Sequence, residues 1–284
     1  MIARLQTYAS FVRISHSVFA LPFALAGALL ASRLAPFTWI RLVWIVGCMI
    51  AARSAAMGFN RLVDAAFDAR NPRTAMRELP RGAMSRKEAV AFVAVSSAAF
   101  VGMAAELGRT CLLLSPVALG IVFWYSLAKR FTNYTQLFLG LAMAVAPVGG
   151  WIAMNGPARL EPWALGLAIG MWVAGFDVLY ACQDVEFDRR EGLRSIPARF
   201  GIPAALTLSR IMHALAVLAL GAVGFLAGLG RIYGLGVALV AALLIYEQSL
   251  VRADDLSQVK RAFDLNGWVG LLYLAATATD ILLG

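Results

Sequence analysis

Apolar residues run through this chain in long unbroken stretches, separated by short segments rich in Arg, Asp and Gly. The hydrocarbon core of a bilayer, about 30 Å thick, takes about 20 apolar residues per helix. Nine stretches approach that length: residues 16–33, 40–59, 87–106, 111–128, 135–154, 162–182, 206–229, 232–250 and 265–283. Pro22, Pro116 and Pro147 fall inside three of them. Membrane helices tolerate such interruptions where neighbours satisfy the freed carbonyls. The alternation of apolar and polar positions that marks a barrel strand is missing. Ser85 and Glu88 stand at the Ser-x-x-Glu spacing of a capping box and mark the start of the third stretch. The pattern predicts an all-α polytopic membrane protein, with residues 1–284 as one domain.

Composition narrows the class further. Of the 284 residues, 61% are apolar and 14% charged, and the mean hydropathy is +0.76. Soluble domains hold about 45–50% apolar and about 25% charged residues, so a soluble enzyme is excluded. Disorder, which requires low hydrophobicity, is excluded too. Cys48, Cys111 and Cys182 all lie in or beside apolar runs, and three cannot all pair, so they read as packing residues.

The net charge of +9 is a topology signal. Nine spans put the termini on opposite sides and sort the loops into two sets. The N-terminus and the loops after helices 2, 4, 6 and 8 carry 19 of the 25 Lys and Arg. The other set carries only Arg33, Arg41, Arg109, Arg159 and Arg231, while Arg53 lies within a span. Basic loops stay cytoplasmic, so the N-terminus is expected inside and the C-terminus outside. A water-exposed basic face for nucleic acid is not indicated. The first apolar stretch continues into a full span, so no cleavable signal peptide is expected.

The two longest charged loops echo one another. Asp64-Ala-Ala-Phe67-Asp68-Ala-Arg70 recurs 120 positions later as Asp184-Val-Glu-Phe187-Asp188-Arg-Arg190. Residues i and i+4 share a helix face, so each copy aims two carboxylates one way. Asn60 adds a neutral oxygen one turn before Asp64. Carboxylates this close repel, and Mg²⁺ would relieve them, taking one or two carboxylates together with substrate phosphate oxygens. The plainer reading is interfacial aspartates balanced by nearby arginines. Two symmetric copies favour the metal. Arg70, Arg73, Arg77, Arg81, Arg189, Arg190 and Arg194 exceed what the acids need, which suits a multiply charged anion such as diphosphate. Pro72 and Leu79-Pro80 break the helix, so this segment reads as a cap.

Asn60-Arg61-Leu-Val-Asp64-Ala-Ala-Phe67-Asp68 resembles the NRxxDxxxD motif of the UbiA superfamily of intramembrane prenyltransferases. Arg73-Thr74-Ala-Met-Arg77-Glu-Leu79-Pro80-Arg-Gly82 is similar to its RTxxRxLPxG continuation, and Tyr125-Ser-Leu-Ala-Lys129-Arg130-Phe-Thr132 to its YxxxKRxT motif. Asp184-Val-Glu-Phe187-Asp188 with Gly192-Leu-Arg-Ser195-Ile resembles the second DxxxD and its tail. The resemblance implies nine transmembrane helices around a central chamber, with cap segments at about 64–86 and 184–205. It also implies Mg²⁺-dependent transfer of a polyprenyl group from its diphosphate to an acceptor. Asn60, Asp64 and Asp68 would hold one Mg²⁺, and Asp184 and Asp188 a second. Arg73, Arg77 and Lys129 would bind diphosphate. Tyr125 would face the allylic cation, and Asp184 is the preferred acceptor of a phenol proton.

Arg53 and Asp177 lie within predicted spans, where ionisable residues mark function by default. They would either pair and lock helix 2 to helix 6, or leave Arg53 or Arg130 to receive an aromatic carboxylate. His16, where the first span begins, reads as an interfacial residue or as a hydrogen-bond partner of the acceptor. His213 has no acidic neighbour at helical spacing and is assigned nothing.

The expected activity is polyprenyl transfer to the ring of an aromatic acid, 4-hydroxybenzoate first, in ubiquinone or menaquinone biosynthesis. A naphthoate-type acid of futalosine-route menaquinone synthesis is the alternative acceptor. The expected setting is the cytoplasmic (inner) membrane of a prokaryote, with the lipid bilayer, polyprenyl diphosphate and the aromatic acid as partners and no obligate protein partner. A cation-coupled carrier is the distant alternative, since repeats and intramembrane charges also occur in transporters.

Overall fold

The computed structural model describes residues 7, 8, 10–12 and 20–283. Among these, the regular elements are helices, named here α1 (Leu21–Ala31), α2 (Trp39–Arg70), α3 (Arg86–Leu107), α4 (Arg109–Leu127), α5 (Thr135–Ala153), α6 (Glu161–Ala181), α7 (Val185–Arg190), α8 (Ile196–Phe200), α9 (Ile202–Ala227), α10 (Arg231–Ser249) and α11 (Val259–Leu283). Eight are long and apolar enough to cross a membrane; α1, at the first predicted span, has 11 residues. Residues 13–19, where that span was expected to begin, lie outside the described residues.

The largest departure from the predicted boundaries is α2, which runs 11 residues past its apolar stretch to Arg70. Asn60, Asp64 and Asp68 therefore stand on a continuous helix that projects beyond its apolar part. It stops where Asn71 precedes Pro72, because proline disfavours the α conformation in the residue before it. Asn71 is extended, at φ −93° and ψ 116°. Residues 71–85 then form turns up to the capping box of α3, in which Ser85 accepts from the Glu88 backbone and Glu88 returns the bond.

Successive long helices pack side by side, α2 on α3, α4 on α5, α5 on α6, and, past the short α7 and α8, α6 on α9. The circuit closes where α11 returns to α1 and α1 rests on α5. Small residues allow the closest approaches, as membrane helix contacts favour. A Cβ on Gly140 of α5 would sit 2.3 Å from the Gly170 carbonyl of α6. Phe23 of α1 packs on Trp172 of α6 and Tyr273 of α11, with ring centroids 5.0 and 5.6 Å apart. His213, buried on α9, packs on Gly175 and lies 3.0 Å from the Gln248 amide through Nδ1, a structural placement away from the chamber.

Two of the five arginines of the less basic side cap helix ends. Arg41 donates to the carbonyls of Leu107 and Ala153, the last residues of α3 and α5, at 3.0 and 2.6 Å. Arg33 does the same for Ala227 at the end of α9. Terminal carbonyls lack intrahelical donors and carry the negative end of the helix dipole, so a cation there is favourable.

Candidate active site

A cavity of about 970 Å³ opens between α2, α4, α5 and α6. Its wall on α2 extends from Ile45 to Asp68, about 35 Å at 1.5 Å per residue. Ile45, Phe100, Leu114, Met143 and Trp163 keep most of that length apolar. Asn60, Asp64, Asp68, Arg73, Arg77, Tyr125, Lys129, Asp184 and Asp188 also line it, so a polar mouth feeds an apolar chamber.

At the mouth the acidic residues are already engaged. Asp68, buried, accepts from Arg77 Nη1 through both oxygens at 2.7 and 2.8 Å. Asp64 accepts from Asn60 Nδ2 at 3.2 Å and from Arg130 Nη2 at 3.1 Å. Asp184 accepts from Arg73 Nε at 3.1 Å, from Arg73 Nη2, and from Asn71 Nδ2 at 3.4 Å. Asp188, also buried, accepts from Ser195 at 2.8 Å. Burial works against the charge on Arg73, but the adjacent Asp184 carboxylate outweighs it and holds the guanidinium pKa above its ordinary value.

The second aspartate pair is not a geometric copy of the first. α6 tightens into a 3₁₀ turn over Cys182–Asp184 before α7 begins, which alters the i, i+4 relation a continuous helix would give. Asp184 turns to Arg73 while Asp188 is held by the following loop. That loop is anchored in turn: the Ile196 N–H donates to Gln136 at 3.2 Å, and the Arg194 N–H to the Lys129 carbonyl at 2.9 Å.

Three residues not assigned from the motifs help build the mouth. Asn71 bonds Asp184 and accepts the Arg73 backbone N–H at 3.0 Å. The Tyr180 hydroxyl accepts from Arg73 Nη1 at 2.9 Å. Gln136 steadies the Asp188 loop. Asn71 carries a sequence signal, an Asx residue ahead of proline at a helix end. Tyr180 carries one too, standing one turn before Asp184 as Asn60 stands before Asp64; Gln136 carries none.

The two arginines considered for an acceptor carboxylate differ. Arg130 is spent: besides Asp64 it donates to the Ser126 and Val63 carbonyls at 3.0 and 2.7 Å, tying α4 to α2. Arg53 lines the chamber and makes no hydrogen bond or ion pair among the described residues; its Nε is buried. The Arg53–Asp177 ion pair is not formed among the described residues, although both line the chamber. His16 lies outside the described residues.

The model of the UbiA prenyltransferase family matches residues 20–272. The chain belongs to that family. It is therefore a membrane prenyltransferase, and the carrier alternative is set aside. Among its relatives, the 4-hydroxybenzoate octaprenyltransferase of Cronobacter sakazakii is 33% identical over 248 residues, covering 87% of this chain and 84% of that one. The enzyme of the same name from Alkalilimnicola ehrlichii is 30% identical over 258 residues, 91% and 87% of the two chains. An apo UbiA homolog from Aeropyrum pernix superposes with a TM-score of 0.87 at 39% identity, covering 94% of this chain and 98% of that one. A homolog from Archaeoglobus fulgidus, solved with GPP and Mg²⁺, shares the fold at 22% identity with a TM-score of 0.74, covering 98% and 100%.

The oxygen donors at the mouth fit magnesium. Asn60, Asp64 and Asp68 offer them from α2, and Asp184 and Asp188 from the far wall, the hard ligands Mg²⁺ prefers. Among the described residues no three acidic, His or Cys side chains yet converge on one point. Three of the aspartates are instead held apart by arginines.

Proposed function

We propose that this UbiA-family enzyme transfers a polyprenyl group from its diphosphate to a ring carbon of 4-hydroxybenzoate, in the cytoplasmic membrane, with the polar mouth on the cytoplasmic side. The observation that carries the acceptor is Arg53, a guanidinium without a hydrogen bond or ion pair among the described residues, in the largely apolar inner part of the chamber. Such a cation is costly in a membrane unless a ligand anion meets it. The names of the relatives agree with an aromatic acid.

Arg73, Arg77 and Lys129 bind the diphosphate, the two arginines exchanging an aspartate for phosphate oxygens, which the planar fork of a guanidinium fits. Asn60, Asp64 and Asp68 would hold one Mg²⁺, with Asp184 and Asp188 on a second. Bound metal supplies positive charge that eases departure of diphosphate. Tyr125 turns its ring toward the developing allylic cation. The apolar walls exclude water that would quench that cation, and the prenyl tail lies along the chamber without leaving the bilayer.

The test uses purified protein in detergent with Mg²⁺ and a polyprenyl diphosphate. 4-Hydroxybenzoate and 1,4-dihydroxy-6-naphthoate are supplied in parallel, with Asp64→Asn/Asp184→Asn as control. Mass spectrometry should find prenylated 4-hydroxybenzoate, lost in the control and on chelation of the metal. Product from the naphthoate alone would reassign the acceptor, and product from neither would overturn the aromatic-acid reading.

A further inference from the structure

Asp177 belongs to neither aspartate motif, yet it lines the chamber from α6. The other chamber aspartates are occupied, Asp64, Asp68 and Asp184 by arginines and Asp188 by Ser195. Asp177 alone of the five makes no hydrogen bond or ion pair among the described residues. The charged groups that act on it electrostatically are Lys129, Asp184, Asp188 and Arg73, all lining the same chamber. Tyr125 on α4 lines the same chamber and senses the charges of both Asp177 and Arg53.

Depth orders these groups. On α6, Asp177 lies seven residues inward of Asp184, about 10 Å along the helix, and on α2, Arg53 lies 11 residues inward of Asp64, about 16 Å. From the mouth inward the chamber therefore presents the diphosphate residues, then Asp177, then Arg53. A 4-hydroxybenzoate whose carboxylate meets Arg53 carries its hydroxyl at the opposite end of the ring, pointing back toward the mouth. Its hydroxyl then comes to the depth of Asp177. The ring carbons beside that hydroxyl come nearest the diphosphate site, where the allylic carbon must lie.

We propose that Asp177 is the catalytic base of the transfer and accepts the phenol proton of the acceptor; this assignment rests on the aromatic-acid reading above. Asp184, the sequence's choice, holds Arg73 through both oxygens and lies with the diphosphate residues. The proton leaves oxygen for the Asp177 carboxylate, and the ring electron pair beside the phenolate forms the new C–C bond. The allylic C–O bond breaks with its electrons going to diphosphate. The resulting dienone loses its ring proton to the departing diphosphate and regains a proton on oxygen from Asp177. Asp177 ends as a carboxylate, the ring as a phenol, and diphosphate carries away one proton.

The experiment compares wild type, Asp177→Asn and Asp177→Glu as full chains in detergent with Mg²⁺ and a polyprenyl diphosphate. General-base catalysis contributes about 10²–10⁴-fold, so kcat of Asp177→Asn should fall by about 100-fold or more. The KM for prenyl diphosphate should move by less than about threefold, because no ground-state contact with it is lost. Asp177→Glu should recover part of the rate. 3-Fluoro-4-hydroxybenzoate, a more acidic phenol, should narrow the gap between wild type and Asp177→Asn, which a purely structural role would not do. If Asp177→Asn does not assemble, Asp177→Ser replaces it with the same expectations. A wild type that prenylates the acid while Asp177→Asn retains its kcat, or a gap indifferent to fluorine, overturns the assignment and leaves the acceptor reading intact. A wild type that prenylates no aromatic acid overturns both.

Discussion

Arg73 clasps Asp184 across the mouth of the chamber, with Nε 3.1 Å from one carboxylate oxygen and Nη2 on the other. Its remaining nitrogen, Nη1, donates to Tyr180 at 2.9 Å, and its guanidinium carbon lies 5.2 Å from that ring's centre. The segment after α2 is thereby fastened to the end of α6. Arg77 on Asp68 and Arg130 on Asp64 are two further arginine–aspartate pairs at the mouth. Carboxylates this close repel one another, and here arginines relieve the repulsion.

Replacing Arg73 should weaken diphosphate binding. A hydrogen bond to a charged group contributes about 1.5–3 kcal/mol, so Arg73→Gln should raise the KM for prenyl diphosphate about tenfold or more. The KM for the acceptor should change little. Steady-state kinetics with each substrate varied in turn checks this, and an equal rise in both constants would count against the assignment.

Arg53 and Arg130 should separate cleanly. Arg53→Gln should raise the acceptor KM about tenfold or more, the effect of one charge-assisted contact, with the prenyl diphosphate KM preserved. Arg130→Gln removes bonds to Val63, Ser126 and Asp64 and should lower the melting temperature. If neither substitution changes the acceptor KM and Arg53→Gln only lowers expression, the carboxylate site is elsewhere.

Close helix contact at Gly140 gives a stability prediction. A methyl there would lie 2.3 Å from the Gly170 carbonyl, whereas nothing lies within 4 Å of a Cβ on Gly149. Gly140→Ala should cost about 1–3 kcal/mol as overpacking, and Gly149→Ala should be close to neutral. Thermal unfolding in detergent compares the two; equal melting points would disprove the contact.

Asp280 on α11 supplies a cap from a distance. Its carboxylate accepts from the backbone N–H groups of Gly230 and Tyr233 at 2.7 and 3.0 Å, at the start of α10. Asp280→Ala should destabilise the protein by about 1–2 kcal/mol, the usual range for a lost N-cap. Turnover below the new melting point should be unaffected, since Asp280 is remote from the chamber lining.

The chain's order already determined the class of molecule. Apolar stretches of span length leave no other way to satisfy backbone groups in lipid than helices, and helices longer than the membrane minimum appear at eight of the nine places predicted. The capping box at Ser85 and the break after Asn71 were legible for the same reason, since both depend on residues within a few positions of each other. The aspartates, arginines and Lys129 of the mouth could be named because their spacing lies within single segments.

Only the tertiary structure decided how those groups face one another. Helical periodicity orients a side chain about its own axis and is silent about what stands across from it. Arg53 and Arg130 looked equivalent as isolated arginines; packing spends one on α2 and α4 and leaves the other without a partner among the described residues, inside the chamber. The 3₁₀ turn at Cys182–Asp184 broke the symmetry that the repeated motif suggested. Asp177 became distinguishable only once its four acidic neighbours in the chamber were each seen to have a partner. Partnerships between residues more than 100 positions apart are set by the packing of helices, and no local pattern encodes them.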